Sequence, residues 1–479
     1  MKITKIEVCD FRGSPGPAVY DFEFGGTRNL LIFGENGSGK SSLFRAIQEF
    51  FNRGAKPKPF ADFKNIDQPT LTSGHITLHF ENGATQQWPY GGDRPLSAPP
   101  ASQTALQVGC LDYRSLLETN FTQKGETVNL FHIAVNHLVD RMECPVPGGG
   151  SARIGDLWKE VLSSKPWANY KRYVTQATKA VERFNAAFEP VLTPLIDQAS
   201  RLLQKFPGCD FELGLSFQPI EYLRPTKSFA NQELILSVKR NSITVPNHHD
   251  FLNEARLSAI GLVIYLAGLL ISVPPASPHP KLLVLDDVLI GLDMQNRMPI
   301  LQLLADHFAG WQVVLMTHDK VWYEMVQLQL EAGTDWKAYE LYVGADQHPV
   351  HYQRYGGANY YLDRARAHLA ANDLASAANY TRNAFEWKVK KYCDKGSIPV
   401  SYKMDSATVK AEEFWKAAQA HSLSKATDKT LIAVLTASFA AVDTWKKIIL
   451  NPLSHSATAT VTRLEVQAAI DAVQNLRFK

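Results

Sequence analysis

The chain has 479 residues, 45% of them apolar and 10% aromatic, enough for two to four packed domains. Its five cysteines (Cys9, Cys110, Cys144, Cys209 and Cys393) lie far apart with no C-x-x-C pair, which suggests neither a disulfide framework nor a zinc site and fits a reducing cytoplasm. Net charge is nearly balanced at +3, yet residues 355–479 carry 17 Lys and Arg against 11 Asp and Glu, a net of +6 that leaves −3 for the rest. That excess suits either a nucleic-acid footprint or a mildly basic solvated surface.

The first residues, MKITKIEVCDF, alternate like a strand and lack the apolar core of a signal peptide. Strands are expected at Ile3 to Val8, Ala18 to Phe24 and Asn29 to Phe33, followed by a glycine loop and a helix from Ser41 to Phe51. His75 to Phe80 reads as a strand that ends in an Asn82-Gly83 turn. From Tyr170 to Leu195 apolar residues alternate in steps of four and three, the seam of a short coiled-coil arm interrupted at Pro190 and Pro194.

The run Ala259 to Val273 is shorter than the roughly 18 residues that span a bilayer, so a buried helix and no membrane partner are expected. Strands at Leu282 to Leu285 and Trp311 to Met316 follow. After about Gly344 the pattern becomes entirely helical. The reading therefore places an α/β domain at 1–345 with a helical insertion at about 155–206, a linker at 346–358, and an all-α domain at 359–479.

The stretch GENGSGKS between a buried strand and a helix is a phosphate loop: Gly34, Asn36, Gly37, Ser38 and Gly39 turn backbone N–H groups toward phosphate oxygens. Lys40 reaches the β- and γ-phosphates, the Ser41 hydroxyl ligates Mg²⁺, and Ser42 continues the cradle. In LLVLDDVLIGLD, 246 positions beyond Lys40, Asp286 ends a buried strand where it holds the Mg²⁺ shell. Asp287 is placed to polarise the attacking water, and His318, at the end of VVLMTHD, to touch the γ-phosphate. ATP and Mg²⁺ are the expected cofactors.

With those motifs in that order, residues 1–343 resemble the ABC-type ATPases of the SMC, RecF and RecN kind. The resemblance implies a homodimer that sandwiches two ATPs, with Gly291-Leu292-Asp293 as the D-loop and Ser258, in NEARLSAIGLVIYLA, as the signature serine on the opposite subunit's γ-phosphate. The pattern departs at Ala259 and Ile260, where signature glycines belong, and at Asp287, where the family has Glu; Asp112-Tyr113 occupies the best match to the Q-loop. Fast hydrolysis is not expected.

In the tail, Leu374, Ala377, Ala378, Thr381, Phe385, Val389 and Tyr392 form one helical stripe, with Arg382 and Glu386 at i,i+4 beside it. Asn451-Pro452 and the capping box Thr462-x-x-Glu465 mark later helix starts, and His455 falls between them. R-x-x-x-E followed by N-x-x-x-H is similar to HEPN domains, and the whole order resembles the anticodon nucleases PrrC and RloC. That resemblance implies RNA cleavage, with tRNA the expected substrate: Arg382 would stabilise the phosphorane charge, Glu386 and His455 would share proton transfer, and Lys388, Lys390 and Lys391 would hold the RNA backbone. The family's arginine before the Asn is Leu450 here.

The leading expectation is thus a cytoplasmic ATP switch of prokaryotic anti-phage defence that licenses RNA cleavage by its tail. One alternative is a sensor and scaffold ATPase like PtuA or AriA, partnered by a separate nuclease or a phage-derived trigger. Another is a RecF-type repair ATPase.

Overall fold

The computed structural model describes residues 2–26, 29–52, 58–97, 99–118, 129–166, 170–273, 277–330, 335–344, 349–354, 357–400, 411–450 and 461–479. They form two compact units, Met1–Tyr352 and Gln353–Lys479.

The first unit is organised by a six-stranded sheet. Its order is Pro349–Arg354, Trp336–Val343, Asn29–Gly34, Gln312–Thr317, Leu282–Asp286 and Val108–Asp112. The strands from Trp336–Val343 across to Val108–Asp112 pair in parallel, with Ala338, Leu31, Leu315, Leu285 and Leu111 in one row. The next row is Tyr339, Ile32, Met316, Asp286 and Asp112.

Alternate residues feed opposite cores. Leu31, Leu285 and Leu315 join a cluster with the helices Lys171–Leu203 and Glu254–Ser272, whereas Ile32, Val284 and Met316 face the helix Lys40–Phe50. The second cluster also includes a four-stranded antiparallel sheet ordered Ser14–Glu23, Ile3–Phe11, His75–Phe80, Thr85–Pro89. A sheet covered on both faces needs apolar residues at every position, which is why these strands appear as unbroken hydrophobic runs.

Glu254–Ser272 is apolar on all sides. An 18-residue window of its 19 residues has a mean hydropathy of 1.9, so by length and composition it passes for a membrane span, but Ser258 through Leu269 are buried in the core. A helix hydrophobic all round belongs inside a large core.

The expected interrupted arm is corrected by the structure. Lys171–Leu203 is one continuous helix of 33 residues through both Pro190 and Pro194. It lies on the domain core, burying Phe184, Phe188, Leu192, Leu195 and Leu202, and Phe184 stacks on Phe188 at 5.1 Å. Both prolines sit on the exposed face. The carbonyls they leave without an intrahelical donor therefore open toward water, while the buried face supplies the energy that local propensity withholds.

The strand Pro349–Arg354 occupies part of the expected linker 346–358, and the division between the two units falls inside it. The second unit contains the helices Ala358–Ala370, Leu374–Lys395, Ala411–Lys425, Lys429–Trp445 and Arg463–Asn475. They share a core that includes Ala365, Phe385, Trp415, Phe439 and Ile470. The capping box is present: Glu465 N–H donates to the Thr462 hydroxyl at 3.3 Å, and Thr462 N–H donates to the Glu465 carboxylate at 2.7 Å. Lys429–Trp445 buries only a narrow stripe, Leu435, Phe439 and Val442, and leaves Ile432 and Val434 exposed.

Because Pro190 costs a helical hydrogen bond without contributing to the core, Pro190→Ala should stabilise the first unit by about 1–3 kcal/mol. Urea unfolding followed by circular dichroism checks this; a lower midpoint for the variant would show that the ring does packing work.

Candidate functional site

The parallel strands all end at one edge of the sheet, the place where open α/β sheets gather ligand-binding groups. Asn29–Gly34, with every residue buried, delivers the chain to the phosphate loop there. Gly37 and Gly39 adopt φ of 85° and 94°, a left-handed backbone that glycine enters without strain, and Gly39 caps the helix Lys40–Phe50. A Cβ on Gly34 would stand 2.5 Å from Ser38 Oγ and 2.6 Å from Lys40 Cγ, so that position too requires glycine. Asn36 and Gly37 form the exposed lip of the loop. Ser38 is 1% exposed, and its Oγ has no hydrogen-bond partner among the described residues.

Lys40 is 5% exposed and folds into the loop, donating to the Gly34 carbonyl at 2.7 Å and to the Glu35 carbonyl at 3.4 Å. Its Nζ also lies 3.7 Å from Asp287 Oδ2. The Ser41 hydroxyl donates to Asp286 Oδ2 at 3.0 Å. Ser42 faces away from the loop's mouth, its Oγ accepting from Gly13 N–H at 3.0 Å, which stitches the turn after the first strand to this helix.

Asp286 is 4% exposed. Burial, and after it the charge of Asp287, pushes its carboxyl up to about 6. Its other oxygen, Oδ1, has no hydrogen-bond partner among the described residues. Asp112 stands in register with Asp286 on the neighbouring strand, and its Oδ1 accepts from Ser115 N–H at 2.9 Å.

A buried oxygen with no protein partner, beside a serine hydroxyl and a second carboxylate strand end, is a fitting hard-oxygen shell for Mg²⁺. Among the described residues no group of three or more His, Cys, Asp or Glu can hold a metal alone. That agrees with an ion whose remaining ligands are phosphate oxygens and waters.

Asp287 has φ of 55°, and its N–H donates to the Met316 carbonyl at 3.1 Å. The turn aims its Oδ1 at the next strand's exit, where it accepts from His318 N–H at 2.8 Å and lies 2.9 Å from His318 Nδ1. The structure thus brings Lys40, Ser41, Asp286, Asp287 and His318 together at one sheet edge. The arrangement supplies a cation and N–H cradle for phosphates, an oxygen shell for a divalent ion, and a carboxylate–imidazole pair beside them.

Asp293 caps the short helix Met294–Arg297, accepting from Asn296 N–H at 3.0 Å. Ser258 is not at the exposed end of its helix. It is 4% exposed, a turn inside its helix, and a Cβ on Gly291 would stand 2.3 Å from its Oγ. The exposed end of that helix is instead Asn253, the N-cap, whose side chain accepts from Arg256 N–H at 3.0 Å. The available signal was the Asn253-Glu254 start, an N-cap followed by an acid in the first turn.

In the tail, Arg382 Nε donates to Glu386 Oε1 at 3.0 Å and Lys390 lies 3.5 Å from Glu386 Oε2, all on one partly exposed helical edge. His455 and Asn451-Pro452 lie outside the described residues. The expected lysine cluster is split. Lys388 is turned to the end of the last helix, donating to the carbonyls of Val473 at 2.7 Å and Gln474 at 2.8 Å. Lys391 lies 4.5 Å from the Trp387 ring, and Lys390 is paired with Glu386. A lysine that satisfies a helix's last carbonyls is a structural cap.

No family model matches the chain, and no curated protein matches it. Among solved structures, the SMC head domain from Thermotoga maritima matches at 17% identity and a TM-score of 0.34, over 74% of this chain and 99% of that one. The Smc head domain with an extended coiled coil bound to the C-terminal domain of ScpA, from Pyrococcus furiosus, matches at 13% and 0.41, over 74% and 96%. The recombination mediator protein RecF with ATP matches at 12% and 0.46, over 73% and 97%. At such scores the chemistry of the site rests on its own residues.

The sign of the Asp286 shift gives a test in metal-free protein. A carboxyl raised from 3.8 to about 6 binds more protons folded than unfolded, so its ionisation costs stability above pH 6 and costs nothing below about pH 4. Asp286→Asn, unfolded with chelator present, should exceed the wild type by about 2–3 kcal/mol at pH 7.5, with the gap closing toward pH 4. Equal stabilities across that range would contradict the burial argument.

Proposed function

We propose that the chain is an ATP-binding and ATP-hydrolysing switch protein, its first unit an ABC-type head that pairs with a second copy around two nucleotides. The convergence of Lys40, Ser41, Asp286, Asp287 and His318 at the ends of adjacent parallel strands carries this reading. The phosphate loop would bind the triphosphate, Ser41 and Asp286 would hold Mg²⁺, Asp287 would orient the attacking water, and His318 would contact the γ-phosphate. With Ser258 covered, the helix end at Asn253 and the D-loop at Asp293 offer the face for a second head. A short Asp287 already engaged by His318 fits slow turnover, the behaviour of a timer.

The finer part of the proposal is that this ATP switch controls RNA cleavage by the second unit, with tRNA as substrate, in cytoplasmic defence against phage. Support for it is the Arg382–Glu386 pair on one helical edge together with the basic balance of 355–479. The dispersal of the three lysines favours a second reading, in which the second unit docks a separate nuclease and Arg382–Glu386 is an ordinary ion pair.

Purified protein incubated with ATP, Mg²⁺ and total tRNA separates the two when phosphate release and RNA products are followed together. Wild type should release phosphate, Asp287→Asn should lose at least about 100-fold of that rate, and the Glu386→Ala and His455→Ala variants should abolish RNA fragments while keeping ATP turnover. Phosphate release with intact RNA would select the docking reading; no phosphate release from wild type would reject the switch.

A further inference from the structure

Beyond the groups that face the nucleotide, one arginine joins two of the loops that surround it. Arg297 closes the short helix Met294–Arg297 that Asp293 caps. Its Nε donates to the carbonyl of Leu292, the middle residue of the D-loop, at 2.7 Å. Its Nη1 donates to Asp319 Oδ2 at 2.5 Å. Asp319 directly follows His318, and its other oxygen accepts from Trp322 N–H at 3.0 Å, while its own N–H donates to the Thr317 hydroxyl at 3.1 Å.

The arginine side chain is 15% exposed and that of Asp319 30%, so the pair is partly shielded from water. Arg297 lines a narrow cleft together with Asp287, Ile290, His318 and Trp322.

The guanidinium is a rigid plane whose N–H vectors are fixed relative to one another. With one N–H on the D-loop backbone and another on the residue after His318, a displacement of either loop must displace the other or break a charge-assisted hydrogen bond. Across the same cleft, Asp287 holds His318 through its main chain and ring. The two loops otherwise belong to different strand exits, Leu282–Asp286 and Gln312–Thr317.

We propose that Arg297 is a positioning residue that couples the His318 loop to the D-loop, so that the state of the nucleotide at His318 is transmitted to the face offered to a second subunit. This inference rests on the ATP reading above. Arg297 touches no reacting atom; it fixes the relative position of groups that do. A lysine at 297 keeps the charge but has a single nitrogen, which cannot serve Leu292 and Asp319 with the same fixed geometry.

The test is hydrogen exchange of the full chain, followed by mass spectrometry, with and without a non-hydrolysable ATP analogue and Mg²⁺. In wild type, segments 288–293 and 316–322 should both slow by about fivefold or more on nucleotide addition. In Arg297→Ala and Arg297→Lys, 316–322 should keep its response while 288–293 loses it, with analogue affinity within about twofold of wild type and kcat for ATP down by about tenfold at similar KM. Should Arg297→Ala fail to fold, Asp319→Asn leaves the Leu292 bond in place and should uncouple the segments in the same way.

A response of 288–293 in the alanine variant equal to that in wild type would overturn the coupling, and full rescue by lysine would overturn the two-acceptor bridge. Wild type that fails to bind the analogue at all would instead remove the nucleotide reading, and this proposal with it.

Discussion

The carboxylate of Asp286 is the constraint around which the first unit is arranged. It ends a strand buried on both faces, keeps one oxygen on Ser41 and has no hydrogen-bond partner for the other among the described residues. A carboxylate in that position costs folding energy that an apolar residue would not. A cation would offset that cost, and the strand order shows why one would fit: Asp112 ends the neighbouring strand on one side, and on the other the phosphate loop leaves a strand two places away, across Gln312–Thr317. Parallel pairing, which forces all C-terminal strand ends to one edge, is what turns a stable core into a place for phosphate and metal.

Much of this was legible in the sequence because parallel strands covered on both faces have to be apolar throughout. NLLIFG, LLVLD and QVVLMT announce themselves, and the glycines of the loop have a steric reason at Gly34 and a backbone reason at Gly37 and Gly39. What was not legible is pairing at long range. Nothing local in Asp112 says that it stands beside Asp286, or in Arg297 that it reaches Asp319, since strand order and loop proximity are set by tertiary contacts. The burial of Ser258 was hidden for a related reason: the helix start at Asn253 and the approach of Gly291 decide which residues of that stretch are exposed. Pro190 and Pro194 misled through the opposite error, a local rule applied where a buried face of more than a dozen apolar side chains outweighs two missing hydrogen bonds.

The second unit obeys simpler physics. Its helices bury narrow stripes around Phe385, Trp415 and Phe439, and several of its charged residues serve its own architecture. Lys388 ends a helix, Asp428 and Thr462 begin others, and Lys446 bridges Glu412 and Asp443. A basic composition is therefore a poor guide to a binding surface here, because several of the cations counted in it are already committed. Arg382 and Glu386 lie together on a partly exposed helical edge, with Lys390 beside Glu386.

The central claim, that the first unit binds ATP through its phosphate loop with a metal held by Ser41 and Asp286, is tested most directly by isothermal titration calorimetry of ATP with and without Mg²⁺ on wild type, Lys40→Ala and Asp286→Asn. The account predicts one ATP per chain, tightened by Mg²⁺ in wild type, binding lost by about 100-fold or more in Lys40→Ala, and no Mg²⁺ enhancement in Asp286→Asn. Equal affinity in all three proteins, or enhancement by Mg²⁺ that survives Asp286→Asn, would contradict it.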